Sequence, residues 1–151
     1  MVFGWINLFG AMFVILLIIT NILYAVKNKG EKNHCINRFM NFLEQVGRYG
    51  CILLMWFPLL VWKFGFASVI EMVLYCVGNP ALLATYWVLF AAYRKKKTAC
   101  LAICLAVIPF CVFLLSGILL RHWLLFGFAA AFAISHVYVT SKNVKTINHS
   151  N

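Results

Sequence analysis

Among the polar residues within long apolar stretches of this chain are Asn7, Asn21, Glu71, Asn79 and His136. A lipid environment penalises such groups, so those retained face other helices or mark a function. Glu71, Gly78 and Thr85 recur every seven residues, with Asn79 beside them, and therefore share one side of a helix in which Pro80 removes a backbone donor. Asn7, Gly10, Val14 and Asn21 form a stripe on an earlier helix, at about 100° per residue. His122, Ala129 and His136 form another on the last, beside Ala133. Together the stripes make a weakly polar seam with two readings. One is a path for a proton or small solute, with Glu71 near the outer mouth, Asn79 at the midpoint and His136 toward the cytoplasmic end; transporters place their sites at interrupted helices of this kind. The other is interhelical glue, with Asn, Thr and His bonding across helices and Glu71 pairing with Arg121 or Lys63, each contact worth about 0.6 to 2 kcal/mol.

Other chemistry is sparse. Of the six cysteines, Cys35, Cys51, Cys76, Cys100, Cys104 and Cys111, none forms a C-x-x-C pair, and a disulfide framework is not expected. Cys100, Cys104 and Cys111 lie on one helical face, where a line of thiols would pass a soft metal such as Cu(I). Small apolar packing residues account for the same pattern, and no Met-rich or His-rich segment joins them, so no metal or cofactor is assigned. The chain lacks H-E-x-x-H, G-x-S-x-G and a phosphate-cradling glycine loop. With three acidic residues in all, acid–base catalysis has little to work with, and no enzyme is expected. A Ser or Cys nucleophile paired with His136 is the remaining catalytic option.

The elements that must position these residues follow from composition. The chain has 151 residues, 65% apolar and only 11% charged, with a mean hydropathy of +0.95. A soluble fold of this size could not cover its surface with so few charges, and disorder is excluded by the apolar content. A helix crosses the hydrocarbon core in roughly 20 residues, and five apolar stretches meet that scale, at about 2–26, 46–62, 67–93, 99–120 and 123–140. The fold class is therefore all-α, a single polytopic transmembrane domain with a short polar tail at 141–151. The third stretch is long enough to tilt or to bend at Gly78-Asn79-Pro80. Only Lys63 and the Gly65 region separate it from the second, so a re-entrant pair is an alternative there. Arg121-His122 makes a tight turn between the last two, whose small residues, Ala102 and Ala106 against Gly127, Ala129, Ala130, Ala131 and Ala133, allow close approach.

Eleven of the 13 Lys and Arg fall on one side of this map: Lys27, Lys29, Lys32, Arg38 and Arg48, then Arg94, Lys95, Lys96 and Lys97, then Lys142 and Lys145. Lys63 and Arg121 are left on the other. Positive residues stay in the cytoplasm, which puts the N-terminus outside and the C-terminus inside. The first stretch lacks a basic leader and an A-x-A site, and is read as an uncleaved helix. Because the net charge of +10 comes from residues flanking apolar stretches, it speaks for anionic headgroups at the basic loops and against nucleic acid.

Between 36 and 48 the pattern becomes amphipathic. Ile36, Phe39, Met40, Leu43 and Val46 line one side, and Asn37, Arg38, Asn41, Glu44, Gln45 and Arg48 the other. The expectation is a cytoplasmic helix in the headgroup region, either a stem leading into the second span or a docking surface, with Glu44 and Arg48 paired at i, i+4. His34 and His149 lie in polar segments and need no role beyond solvation.

Four segments, Phe3-Gly4-Trp5-Ile6-Asn7-Leu8-Phe9-Gly10, Asn21-Ile22-Leu23-Tyr24-Ala25-Val26-Lys27, Leu43-Glu44-Gln45-Val46-Gly47-Arg48-Tyr49-Gly50-Cys51 and Leu115-Ser116-Gly117-Ile118 before Arg121, resemble an uncharacterised family of small multi-span integral membrane proteins from Gram-positive bacteria. The resemblance implies a multi-pass location in the bacterial cell membrane and the same helix number; it implies no ligand or activity. The functional expectation is a non-catalytic membrane protein, either a self-associating bundle or an accessory subunit of a membrane complex. The alternative is a small-solute or ion transporter or channel working as an oligomer. A seam closed by its own hydrogen bonds favours the first, and a continuous cavity reaching Asn79 the second.

Overall fold

The computed structural model describes residues 6–27, 35–59, 61 and 65–149. Among them are five helices and no strand: α1 Leu8–Lys27, α2 Arg38–Trp56, α3 Val69–Lys95, α4 Ala99–Leu119 and α5 Trp123–His149. Three of these, α3, α4 and the stretch Trp123–Val144 of α5, are long and apolar enough to cross a membrane; the apolar run of α1, Leu8–Leu23, is shorter.

Local chemistry explains the helix ends, several of which differ from those the hydropathy suggests. Val2–Trp5 of the expected first span, like Lys63, lie outside the described residues. α1 begins at Leu8 because Asn7 caps it, its Oδ1 accepting from the Gly10 N–H at 3.0 Å. Ser68 caps α3 by accepting from Glu71 N at 3.1 Å, while Glu71 Oε2 accepts from Ala67 N at 2.7 Å, a reciprocal arrangement of the capping-box type. α4 ends with Arg121 at φ 54; His122 N donates to Gly117 O at 2.8 Å and Arg121 N to Ile118 O at 3.1 Å, the pattern of a Schellman closure. Residues 141–149, expected as a polar tail, extend α5. Pro80 does not break α3, which runs through it as one helix.

The largest difference concerns α2. The amphipathic segment and the second apolar stretch form one continuous helix, which Asn37 caps and which ends at Trp56, before Pro58. Of its polar side, Glu44 is turned inward. Glu44 is 5% exposed, whereas Phe39 and Phe42 are each 66% exposed and Tyr49 64%. The segment read as an amphipathic stem at 36–48 is thus the first half of α2, and Glu44 and Arg48 pair at i, i+4 within it. In lipid the usual sense reverses, because an apolar side costs nothing outside and a charged side needs partners within.

Packed side by side in the order α2, α5, α4 and α3, the helices form a row that α1 closes by touching both α2 and α3. The core between them holds Val14 and Leu17 of α1, Cys51 and Met55 of α2, Tyr75 and Leu83 of α3, Val112 of α4, and Leu125 and Phe132 of α5. Antiparallel packing of α2 on α5 is marked by Glu44 against His136, Gly47 against Phe132 and Gly50 against Phe128. Gly47 permits the close approach: a Cβ there would lie 2.9 Å from Cα and Cβ of Phe132. All helices consequently share one basic end, where Arg38, Arg94, Lys95 and Lys142 lie, and an opposite end that holds Asn7, Trp56, Glu71 and Arg121.

Candidate functional site

A pocket of 260 Å³ opens at the basic end, between α1, α3, α4 and α5. α1 contributes Asn21; α3 contributes Tyr86, Phe90 and Tyr93 from its last turns; α4 contributes Ala102, Leu105 and Ala106; α5 contributes His136, Thr140, Asn143 and Val144. Small residues at 102 and 106 make the room, and the i, i+4 spacing of His136 and Thr140 sets both on one side of α5. Across the pocket the Tyr86 hydroxyl donates to Asn21 Oδ1 at 2.8 Å. From the adjacent residues, Trp87 Nε1 donates to Thr20 Oγ1 at 3.1 Å.

His136 joins this pocket to α2. Its Nδ1 lies 2.9 Å from Glu44 Oε1, and the same carboxylate oxygen pairs with Arg48. The imidazole stacks on Phe132, ring centroids 4.8 Å apart at 19°, and the Arg48 guanidinium lies 6.0 Å from that ring's centroid. Since a carboxylate only accepts, His136 holds a proton on Nδ1, and its other ring nitrogen is left for a second partner. The arrangement fixes the ring in place and neutralises Glu44 within the bundle.

The other expected site residues lie elsewhere. Asn7 donates from Nδ2 to the Tyr75 hydroxyl at 3.3 Å, and its backbone N–H reaches Trp56 O at 3.0 Å. Asn79 donates to Tyr75 O at 3.2 Å and accepts from Ser116 Oγ at 3.5 Å. Rings of Phe13 and Phe66 enclose Tyr75, with centroids at 5.6 and 5.2 Å. Glu71 caps its own helix and meets Arg121 at 3.5 Å in an exposed pair. His122, expected on the same side of the last helix as His136, is instead the cap of α5, its Nδ1 accepting from Leu125 N at 3.2 Å. Of the five seam residues, then, the structure brings Asn21 and His136 to one pocket, and Asn7 and Asn79 to a second cluster around Tyr75. Glu71 stands apart from both.

Sequence reasoning missed Glu44 and Arg48, read as an outward polar side, and the partners Tyr75, Tyr86, Trp87 and Ser116. A signal was present: Gly47 and Cys51 lie three and seven residues after Glu44, so the stripe carrying the charge is also the stripe of small residues fit for close packing. Chemically, the pocket offers hydrogen bonding and aromatic surface. Its lining holds no Ser or Cys to act with His136, and among the described residues no three His, Cys, Asp or Glu side chains gather to hold a metal. Comparison with protein-family models, curated proteins and solved structures finds no match to this chain.

Proposed function

We propose that the chain is a five-span protein of the bacterial cytoplasmic membrane, N-terminus outside and C-terminus inside, that works without catalysis as a self-associating bundle or an accessory subunit of a membrane complex. The observation that carries this reading is the division of the polar residues into separate clusters, with Asn79 closed off from the pocket by its own hydrogen bonds. A conducting path needs a continuous file of hydrated groups from one end to the other. Here Asn79 is buried and engaged on both sides of its amide, by Tyr75 O and by Ser116, and neither it, Asn7 nor Glu71 lines the pocket at the basic end. The three long apolar helices and the apolar outer side of α2 support a membrane setting.

The pocket itself favours a second reading, a small-solute or ion transporter in which this mouth is one half of an alternating path. Reconstitution separates the two. Full-length protein in liposomes is expected to give proton and alkali-cation fluxes no greater than empty vesicles, and gentle extraction followed by native mass spectrometry is expected to release it with a stoichiometric partner or as a homo-oligomer. Flux that disappears in Asn79→Leu would overturn the non-transporting reading, and a lone chain under the mildest extraction would overturn the assembly.

A further inference from the structure

We propose that the pocket at the basic end binds the phosphate headgroup of an anionic phospholipid, an inference that rests on the membrane orientation proposed above. Three observations converge on that ligand. The first is charge. Arg94, Lys95, Lys96 and Lys97 follow directly on Tyr93 at the pocket's rim, and Lys142 precedes Asn143. Of the acidic side chains among the described residues, Glu71 is at the opposite end and Glu44 is engaged by Arg48 and His136. A negatively charged group therefore meets a positive rim and, among the described residues, no unengaged carboxylate, whereas a cationic ligand is repelled.

The second observation is the set of donors. With Oδ1 of Asn21 accepting from Tyr86, the Asn21 amide nitrogen presents its N–H groups as donors, and Thr140 supplies a hydroxyl on the facing helix. Hydrogen bonds from such groups to an ionised phosphate are about twice as strong as neutral ones. The third is the mixed character of the wall. Phe90, Leu105 and Val144 stand beside those donors, which suits the glycerol and first acyl carbons of a lipid better than a free, fully hydrated anion. The last turns of α3 and α5 also bring the pocket to the depth of the headgroups, where basic pockets between spans take anionic lipids.

Binding is measured on the full-length protein in a neutral detergent, with added short-chain phosphatidylglycerol, phosphatidylcholine of the same chain length, or glycerol phosphate. Native mass spectrometry counts retained molecules and thermal unfolding reads protection. Phosphatidylglycerol is expected to bind about tenfold more tightly than phosphatidylcholine, which has the same phosphate but adds a choline cation that the basic rim repels. Asn21→Leu and Thr140→Val, which remove donors to the phosphate and leave the rim, are each expected to weaken phosphatidylglycerol binding about tenfold, the scale of one hydrogen bond to a charged group, while circular dichroism stays that of the wild type. Equal binding of the two lipids, or phosphatidylglycerol binding unchanged by both substitutions in a folded protein, overturns the proposal. Equal protection by glycerol phosphate assigns the pocket to a soluble phosphate ester and overturns the lipid. Liposome flux would instead refute the non-transporting reading and leave the lipid preference intact, so the two failures are distinguishable.

Discussion

Glu44, Arg48 and His136 act as a unit, because one oxygen of the Glu44 carboxylate takes both partners. Removing the carboxylate alone leaves two partly buried donors without their acceptor, at a cost of about 1 kcal/mol. Removing His136 as well relieves part of that. In a double-mutant cycle with Glu44→Leu and His136→Phe, which keeps a ring to stack on Phe132, the pair is expected to be less destabilised than the sum of the singles by about 1 kcal/mol, read from SDS titration of the helical signal. Additivity would mean that the 2.9 Å contact carries no net energy. The Glu71–Arg121 pair is a contrasting case: at 3.5 Å, with Arg121 exposed and Glu71 only half-buried, it contributes little. The composition of both pairs is legible in the sequence. What the sequence withholds is which carboxylate is inside, since Glu44 and Glu71 differ in surroundings and not in type.

At the scale of the element, α3, α4 and α5 are legible from hydropathy because each is apolar nearly all round and needs only length. α2 is not, for a physical reason: periodicity reports that a helix has a polar side but is silent on what that side faces, and lipid inverts the answer water would give. The packing of α2 on α5 turns on Gly47. Gly47→Ala places a methyl 2.9 Å from the Phe132 Cα and is expected to cost about 1–3 kcal/mol as the helices separate. Gly127→Ala, on the opposite partner, meets nothing within 4 Å and is expected to be neutral or to stabilise by up to about 1 kcal/mol through helix propensity. The same SDS titration checks both, and equal effects would mean that the α2–α5 distance is not set by this glycine. Asn7 illustrates a related limit. Its placement as a cap depends on where α1 starts, which hydropathy alone places too early.

For the whole molecule, the gathering of basic residues at one end is legible from the order of spans, while the separation of the seam into two clusters is not. Stripes on single helices fix faces but not relative depth, and depth decides that Asn21 meets Tyr86 while Asn7 meets Tyr75. Orientation is tested with single cysteines in a background whose six native cysteines are replaced by alanine. Trp123→Cys is expected to react with an impermeant maleimide on intact cells, and Lys96→Cys only after permeabilisation; the reverse pattern inverts the map. The inward charge of α2 has a consequence for biogenesis. Glu44 and His136 are separated by 92 residues, so at 5–20 residues per second roughly 5–18 s of translation divide their emergence from the ribosome. During that interval α2 has a carboxylate and a guanidinium but not the histidine that completes their cluster, and its polar side must wait at the bilayer surface or in the insertion machinery. α2 is therefore made second and docked last: its final place awaits the synthesis of α5, and a nascent chain truncated before Trp123 would hold it in a loosely inserted, protease-accessible state.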